Sequence, residues 1–350
     1  MKQECFDAIL IVSSDLIAYY TGIFNFSPIE RDACMFITLQ NAYIFTDSRF
    51  LGISYPKEFN LIETSARSGA YSAINTIVDA EKIQKIGYEE SELTVKEYKL
   101  LKKVVRQKAK IADCTSLLSF LRVKKTPKEI NKIKKACKIT DSAFSFILDK
   151  IYLGVTETQL AQEIDNFFKE KGATPAFQSI VAFGKNASIP HHHPSNKKLT
   201  LKDTYILLDI GARYDNYCSD LSRTIFFGSV TDEIRNQYGA VKLAQEKALC
   251  ALKLKKRTAQ SVDSRARTYL KQKGYTIPHA VGHGLGIHVH EAPTISPANH
   301  TVLEENMIVT IEPGVYIPKG GIRIEDTVQI TETGYKLLTH STKEIIVIRN

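Results

Sequence analysis

Two aspartates stand in apolar stretches that otherwise read as β-strands. Asp209 lies near the end of the first stretch, and Asp220 follows eleven residues later in the second. If the turn between the strands is centred on Tyr214 and Asp215, the two aspartates face each other with their Cβ atoms about 5 Å apart. Ionised carboxylates that close repel each other strongly unless one is protonated or a cation lies between them. The pair therefore predicts a cation site or a shared proton.

Two glutamates repeat the pattern later in the chain. Glu312 ends an apolar run, directly before a Pro-Gly pair. Glu325 lies in another run, where the two-residue period of a strand places it on the same face as Arg323 and Thr327. One acid in a strand is usually a strand-end residue or half of a salt bridge. Four such acids in one part of the chain instead favour a common site.

A histidine-rich segment lies between the two acid pairs. Residues 279–291 hold four of the nine histidines together with three glycines. Ile287 and Val289 alternate with His288 and His290, which predicts a short strand with both rings on one face. The glycines allow the backbone to pass close to whatever the imidazoles surround. The segment is therefore predicted to supply an imidazole to the same site as the acids.

Four carboxylates and one imidazole, with no thiolate among them, form a hard-to-borderline ligand set. Such a set suits Mn²⁺ or Co²⁺, and also Fe²⁺ or Zn²⁺, better than a structural zinc site. Because carboxylates can bridge, five ligands suffice for two ions that share a hydroxide, which is a nucleophile at neutral pH. Further histidines beside such a pair would steady a carbonyl oxygen or handle the proton of a leaving amine.

The first third of the chain carries none of these residues. Apolar runs at 7–12 and 34–39 predict strands, and apolar residues at helical spacing predict a helix over 96–108. Residues 1–122 are therefore predicted to form an α/β domain. It has no glycine-rich phosphate loop, no paired carboxylates and no nucleophile motif, which favours a supporting or capping role.

The second domain is predicted to span residues 123–350. Thr126 and Glu129 form a capping-box pattern with Pro127 at the first helical position, so a long helix is predicted to begin there. Further helices are expected from about residues 157, 232 and 261, and the acid-bearing strands lie between them. This part of the chain is therefore predicted to be an α+β domain.

Composition narrows the classes of partner. The 350 residues suffice for two domains, and the net charge is +9. The lysines are scattered along helical segments rather than interleaved with aromatic residues, which favours a solvated basic surface over nucleic-acid binding. Six widely spaced cysteines indicate reduced thiols, and neither an export signal nor a membrane span is apparent. We therefore expect a cytoplasmic protein that binds no nucleic acid and no membrane.

The order of the motifs resembles a known family. The two aspartates are followed by Gly-His-Gly around His283, Glu-Pro-Gly at Glu312 and Arg-x-Glu-Asp at Arg323. This order resembles the pita-bread metallopeptidases, specifically the branch that cleaves Xaa-Pro bonds, prolidase and aminopeptidase P. Residues 20–22 and 46–49 look like parts of a creatinase-type N-terminal domain. The resemblance covers nearly the whole chain and implies an α/β N-terminal domain followed by an α+β pita-bread catalytic domain.

The resemblance also implies roles for individual residues. It implies two divalent ions, Mn²⁺ foremost with Co²⁺, Zn²⁺ or Fe²⁺ as alternatives, held by Asp209, Asp220, His283, Glu312 and Glu325. Asp220 and Glu325 would bridge the ions. The surrounding pocket would contain His191, His279, His290 and Arg323, with His290 supporting the tetrahedral intermediate and Arg323 orienting the site.

Two features depart from the family pattern. His288 stands where many relatives have an acidic residue, which leaves the leaving-group side of the pocket open. In the run His191-His192-His193 only the first histidine matches the family, so the other two are predicted to be loop residues.

Proteins with several other functions share the fold that the resemblance implies. A methionine aminopeptidase is one alternative, but the resemblance implies that such enzymes mostly lack an N-terminal domain of this size. Creatinase lacks the full set of metal ligands. A non-catalytic module that binds peptides, histones or RNA is a third alternative, and such modules characteristically lose ligands. Between dipeptidase and aminopeptidase the sequence does not decide. We expect a homodimer that acts on proline-containing di- or oligopeptides.

Overall fold

The computed structural model describes residues 6–27, 29–64 and 67–349. The chain divides after Leu121 into two compact units. None of the described helices is both long and apolar enough to cross a bilayer. Within the described ranges, no cysteine forms a disulfide.

The first unit is a mixed β-sheet with helices on both faces. Its elements are β1 (Ala8–Ile11), α1 (Ser14–Thr21), β2 (Ala33–Thr38), β3 (Ala42–Thr46), β4 (Phe59–Glu63), α2 (Arg67–Ala80), β5 (Lys85–Tyr88), α3 (Val95–Val104), β6 (Lys110–Asp113) and α4 (Thr115–Val123), the last of which runs across the division. The strand order is β4-β3-β2-β1-β5-β6. The pairs β1–β2 and β2–β3 are antiparallel, and the other pairs are parallel.

The alternation of apolar residues in β1 explains the layers of this unit. Ala8 and Leu10 pack into the core that contains residues of α2 and α3. Ile9 and Ile11 pack on the opposite face with residues of α1 and α4. A strand buried on both faces reads as a continuous apolar run, as the sequence of β1 does.

The second unit combines further helices with several smaller sheets. Its elements are α5 (Pro127–Leu148), α6 (Glu157–Glu170), β7 (Thr174–Pro175), β8 (Ile180–Phe183), β9 (Tyr205–Ile210), β10 (Ala212–Tyr214), β11 (Tyr217–Cys218), β12 (Leu221–Phe227), α7 (Asp232–Ala251), α8 (Ala259–Gln272), β13 (Gly282–Gly284), β14 (Glu291–Ile295), β15 (Ile308–Ile311), β16 (Gly314–Ile317), β17 (Gly320–Arg323), β18 (Asp326–Thr331), β19 (Gly334–Leu337) and β20 (Val347–Ile348). The sheets are ordered β20-β12-β9-β8, β14-β13-β15-β18-β19, β11-β10-β7 and β16-β17.

Helix α5 begins where its capping residues predict. The Thr126 side chain accepts a hydrogen bond from the Glu129 amide at 3.3 Å, and Glu129 accepts one from the Thr126 amide at 2.8 Å. Pro127 is the first helical residue, where its missing N–H has no consequence. The predicted start of this helix is confirmed.

Strand β9 separates two apolar layers. Ile206 and Leu208 face the core formed with α5 and α6. Leu207 faces the opposite core, which contains residues of α7 and α8. Asp209 continues the face of Leu207, because side chains alternate along a strand. The sheet therefore directs this carboxylate away from the α5–α6 layer.

The register of the β9–β12 hairpin differs from the predicted one. The turn is centred on Asp215 and Asn216, whose φ angles are +47° and +68°, and not on the preceding pair. Asp209 therefore faces Ser222, so the prediction that it faces Asp220 directly is wrong. The reason is that Asp and Asn tolerate the left-handed conformation that a tight hairpin turn needs at both central positions. Asp220 becomes the diagonal neighbour of Asp209.

Three stretches predicted as continuous strands are interrupted. The stretch 217–227 breaks at Ser219 and Asp220, and the stretch 321–330 breaks at Ile324 and Glu325. In both places an acid leaves the hydrogen-bonded ladder.

The third stretch, residues 287–290, forms bends instead of the predicted strand. The carbonyl of Gly286 accepts from the Cys218 amide at 2.8 Å, and the carbonyl of Ile287 accepts from the Arg213 guanidinium at 2.6 Å. These bonds to β10 and β11 take the place of a strand ladder, so the prediction for this segment is wrong.

The turn can be tested by substitution at Asn216. We expect Asn216→Val to lower the free energy of unfolding by about 1–2 kcal/mol, because a β-branched residue is strained at positive φ. The control, Asn216→Gly, should be at least as stable as the wild type, since glycine adopts this conformation freely. Urea unfolding of the purified proteins measures both. Equal stability of the valine and glycine variants would contradict the observed turn.

Candidate metal centre

The five predicted ligands line one cavity of about 650 Å³ in the second unit. They come from separate places in the chain: the penultimate position of β9, the break before β12, the middle of β13, the residue after β15 and the break between β17 and β18. In that order the residues are Asp209, Asp220, His283, Glu312 and Glu325. Three strands and two strand breaks are therefore needed to bring the set together.

The side chains of this set lie close to one another. The Nε2 atom of His283 is 3.3 Å from a carboxylate oxygen of Glu312 and 3.6 Å from one of Asp220. One potential ligand atom each from Asp220, His283 and Glu325 lie within 4.8 Å of one another. All three of these residues are buried or nearly so. The arrangement is compact enough for carboxylates to be shared between neighbouring ions.

The orientation of the His283 ring is fixed by a contact of the nitrogen that faces away from the carboxylates. Its Nδ1 atom lies 3.0 Å from the carbonyl oxygen of Gly284, to which it donates, so the lone pair of Nε2 points towards the carboxylates. Its amide donates to Thr310 Oγ1 at 3.1 Å. A Cβ on Gly282 would overlap the carbonyl oxygen of Thr310, and one on Gly284 would overlap that of Ala292. The flanking glycines therefore let β13 lie tightly between its neighbours.

In Asp209 and in Glu325, one carboxylate oxygen is held by a hydrogen bond from a neighbouring side chain. One oxygen of Asp209 accepts from Arg323 at 2.6 Å, and one oxygen of Glu325 accepts from Ser222 at 2.8 Å. The second oxygen of each, and one oxygen of Asp220, is buried and makes no hydrogen bond within the described chain. Buried polar atoms almost always have a partner. Unpartnered carboxylate oxygens beside an imidazole are the donor set that a divalent cation fits.

The protonation equilibria of this cluster are strongly perturbed. Burial, followed by repulsion from Asp209, raises the pKa of Glu312 to about 8 despite the opposing effect of Arg323. Burial and the neighbouring carboxylates also raise the pKa of Asp220 and of Glu325 well above the usual range. Burial lowers the pKa of His283 to about 4. Without a cation, bound protons therefore neutralise part of the negative charge of this cluster.

Arg323 is buried beside the proposed ligands, with an exposed fraction of 2%, and its guanidinium makes several hydrogen bonds. Besides Asp209, its guanidinium donates to Ser222 Oγ at 2.8 Å, to Tyr316 Oη at 2.9 Å and to the Pro190 carbonyl at 3.1 Å. Burial acts to lower its pKa, but the attraction of Tyr316, Asp209 and Glu312 outweighs burial and raises it. Arg323 therefore remains a cation that orients its neighbours.

Both ring nitrogens of His279 make hydrogen bonds. Nδ1 lies 2.7 Å from the Ala280 carbonyl oxygen, and Nε2 lies 2.9 Å from Tyr316 Oη. Burial lowers its pKa to about 4, and Arg323 acts in the same direction, so the ring is neutral. Nδ1 then donates to the carbonyl, and Nε2 accepts from the tyrosine. The geometry makes His279 a positioning residue for Tyr316 and Arg323.

His191 and His290 are exposed at the cavity surface. The ring of His290 meets the ring of His283 edge to face, with centroids 4.4 Å apart. Burial and then the proximity of His191 lower the pKa of His290. These two histidines are placed to contact a molecule that enters the cavity.

Glu291 belongs to the site, although no pattern in the sequence predicts it. It is paired with Lys125 at 2.9 Å and with Arg122, and it accepts from the His288 amide at 3.1 Å. Burial acts to raise its pKa, but Lys125 and Arg122 lower it overall. This buried carboxylate fixes the turn that carries His290. Its cationic partners lie more than 160 residues away in sequence, so no local pattern could have revealed it.

Tyr316 and Ser222 also belong to the site and are not among the predicted residues. Ser222 lies two residues after Asp220 in the stretch predicted as one strand, and the two-residue period of that strand could have identified it. Tyr316 lies in β16 after the Glu-Pro-Gly turn, and nothing in its sequence context distinguishes it from a packing residue.

Comparison with known proteins decides the family. Residues 131–332 match metallopeptidase family M24, and residues 1–124 match the Creatinase/Prolidase N-terminal domain. The chain belongs to metallopeptidase family M24. The predicted resemblance, the predicted fold class and the predicted enzyme class of metallopeptidase are thereby confirmed. Family membership implies divalent metal ions, in agreement with the unpartnered carboxylate oxygens.

Similar proteins match over nearly their whole length. The chain is 34% identical to a Xaa-Pro dipeptidase from Pyrococcus horikoshii over 362 residues, which covers 99% of this chain and 96% of the relative. The structure of a Xaa-Pro dipeptidase from Bacillus anthracis is similar with a TM-score of 0.91 and 32% identity, covering 99% and 96% of the two chains. The structure of an X-Pro aminopeptidase from Thermotoga maritima is similar with a TM-score of 0.86 and 31% identity, covering 98% of each chain.

The raised pKa of Glu312 predicts how the metal-free protein responds to pH. The folded state keeps a proton up to about pH 8 that an unfolded carboxyl of pKa 4.5 has lost. Stability should therefore fall as pH rises through this window. Divalent ions displace the protons, so their stabilising effect should increase over the same window.

The measurement is the melting temperature of chelator-treated protein between about pH 5 and pH 8.5, with and without Mn²⁺. Glu312→Gln is the matched control, since it removes one of the titrating groups and should weaken the dependence. Stability of the metal-free protein that rises with pH over this window would contradict the prediction.

Proposed function

We propose that this chain is an exopeptidase that hydrolyses Xaa-Pro bonds with two divalent metal ions. The observation that carries the proposal is the convergence of four carboxylates and His283 on one cavity, with buried oxygens that lack partners in the described chain. Relatives and structural neighbours over nearly the whole chain are named Xaa-Pro dipeptidase or X-Pro aminopeptidase.

The proposed ligands are five of the residues that line the cavity, with Mn²⁺ as the favoured ion and Co²⁺, Zn²⁺ or Fe²⁺ as alternatives. They are Asp209, Asp220, His283, Glu312 and Glu325. Asp220 and Glu325 are proposed to bridge, because they are exposed by only 4% and 1% and each has an oxygen without a partner in the described chain. When bound, the ions supply a water-derived nucleophile at neutral pH and polarise the scissile carbonyl.

The remaining residues of the cavity divide into two roles. His191 and His290, on its exposed side, are proposed to donate to the carbonyl oxygen of the substrate and to handle the proton of the leaving nitrogen. Arg323 holds Asp209 in place, and His279 holds Arg323 through Tyr316. Arg323 and His279 are therefore proposed to affect the substrate only by holding other residues of the site in place.

Preference for proline is proposed to come from shape. An Xaa-Pro bond is a tertiary amide without an N–H, and its leaving nitrogen carries a rigid ring. Recognition must therefore use packing. Phe177, Ile180 and Val289 line the same cavity as the histidines and provide apolar surface for such a ring.

The alternatives fit the chain less well. A methionine aminopeptidase would not explain the match of residues 1–124 to a creatinase-type N-terminal domain. A non-catalytic peptide- or RNA-binding module would not need five convergent ligands. The substrates are proposed to be proline-containing di- or oligopeptides. A cytoplasmic location, a homodimeric state and the absence of nucleic-acid and membrane partners remain our expectations from the sequence.

The proposed specificity is tested with matched peptides. We expect Ala-Pro or Ala-Pro-Ala to be cleaved about 100-fold faster than the corresponding alanine peptides, after metal removal and reloading with Mn²⁺ or Co²⁺. The comparison of the dipeptide with the tripeptide assigns dipeptidase or aminopeptidase activity. Equal rates with proline and alanine peptides would favour another aminopeptidase specificity. Peptide binding without hydrolysis would favour a non-catalytic module.

The metal-ligand roles predict a second result. We expect Asp220→Ala and Glu325→Ala to lose bound metal and activity together, because each removes a buried bridging carboxylate. His290→Ala should retain the metal and lose about 10²–10⁴-fold in kcat, since it is proposed to act on the substrate. Metal content by elemental analysis and peptidase kinetics separate these outcomes.

A half-buried acid outside the cavity supplies the control. Asp165 accepts from Ser179 at 3.2 Å, so Asp165→Ala should keep both metal and activity. Activity within tenfold of the wild type in both bridging variants would refute the bridging roles. Loss of metal in His290→Ala would refute its proposed contact with the substrate.

A further inference from the structure

The histidine run 191–193 lies in a loop between β8 and β9 that also lines the cavity. Near the start of this loop, the Pro190 carbonyl accepts from Arg323 at 3.1 Å. The next residue is His191, at the exposed side of the cavity. The loop is therefore attached to the metal centre on the side that precedes His191.

A buried carboxylate attaches the loop on the other side. Glu157, in the first turn of α6, has an exposed fraction of 0%. One of its oxygens accepts from the Phe183 amide at 2.7 Å and from Asn186 Nδ2 at 2.9 Å. The other accepts from His192 Nε2 at 2.9 Å and from the amide and hydroxyl of Ser195 at 3.0 and 2.6 Å. Five donors thus converge on one carboxylate.

The number of donors determines the chemistry of Glu157. A carboxylate that accepts this many hydrogen bonds is stabilised in its ionised form. Burial acts to raise the pKa of Glu157, but the bonds from Ser195, His192 and the other donors outweigh burial and lower it. Because Glu157 is ionised, His192 must donate through Nε2. The side chain of His192 is only 13% exposed, so it is held in the protein and is not presented to solvent.

His193 has a different partner. Its Nδ1 atom lies 2.8 Å from Gln178 Oε1, and the residue is exposed. All three histidines line the cavity, but His192 is bonded to a buried carboxylate and His193 to an exposed amide. Only His192 connects the loop to Glu157 through its imidazole.

We propose that Glu157 and His192 form a positioning pair that sets the location of His191 in the cavity. The inference rests on the proposed function, in which His191 contacts the substrate. Arg323 fixes the backbone just before His191, and His192 fixes it just after. The imidazole between them is thus restricted without a hydrogen bond of its own being required, and it remains available for the substrate.

The test compares two substitutions of His192. His192→Leu removes the donor, and we expect kcat for an Xaa-Pro peptide to fall about 10- to 100-fold with the metal content unchanged. His192→Gln keeps an N–H donor and should recover most of the activity. The control is His300→Leu, which changes an exposed histidine outside the cavity lining and should remain close to the wild type.

A double-mutant cycle separates positioning from a general structural role. In a His191→Ala background the further change His192→Leu should alter kcat by less than about twofold, because the group that it positions is already absent. Ser195→Ala loosens the same carboxylate without changing His192. It should show a smaller loss that also disappears in the His191→Ala background.

The outcomes distinguish the inference from the function on which it rests. An equal fall in kcat on adding His192→Leu to the wild type and to His191→Ala would overturn the positioning role. So would an unchanged kcat in a folded His192→Leu protein. A wild-type enzyme without Xaa-Pro hydrolysis would instead overturn the proposed function.

Discussion

Mutual repulsion between buried carboxylates is the constraint on which the catalytic unit depends. Asp220 and Glu325 are almost completely buried, and Asp209 and Glu312 lie beside them. No arrangement of apolar side chains stabilises such a cluster, because moving several negative charges out of water is unfavourable unless each is neutralised. The protein compensates part of this charge with Arg323, and the raised pKa values show that Arg323 alone is insufficient. The remainder must be compensated by protons or by divalent cations.

The surroundings of the cluster are polar groups that each restrict one neighbour. Ser222 and Thr310 hold ligand residues on the strand faces, and Tyr316 joins His279 to Arg323. Glu291 holds the turn that carries His290. These contacts leave the exposed imidazoles at the cavity surface and the acids at its floor. The division matches the proposed chemistry, in which the floor holds cations and the rim contacts a peptide.

The sequence reveals the ligand set because its members violate a local rule. Acids such as Asp209 and Glu312 in apolar strand-like runs are conspicuous, and the family motifs lie around them. The family and fold class that this pattern predicts are confirmed, while the ligand roles of the five residues stay predictions. The predicted hairpin register is wrong because the sequence is compatible with a turn centred on Tyr214-Asp215 or on Asp215-Asn216. Only the backbone shows that the second pair adopts positive φ.

Other parts of the site could not be predicted for a different reason. The segment 287–290 alternates like a strand, but it forms bends, and the Ile287 carbonyl accepts from the Arg213 side chain. Glu157 and His192 are 35 residues apart and look like ordinary helix-start and loop residues. Their pairing depends on the path of the loop after β8. Long-range polar contacts of this kind are properties of the tertiary fold, and local periodicity carries no signal for them.

The dispersion of the ligands along the chain has a consequence for biosynthesis. The first lies in β9 and the last follows β17, and the ribosome synthesises the chain from its N-terminus. A nascent polypeptide therefore cannot complete the cluster until the β17–β18 region has emerged and paired. The five proposed ligands can come together only after most of the chain has been synthesised.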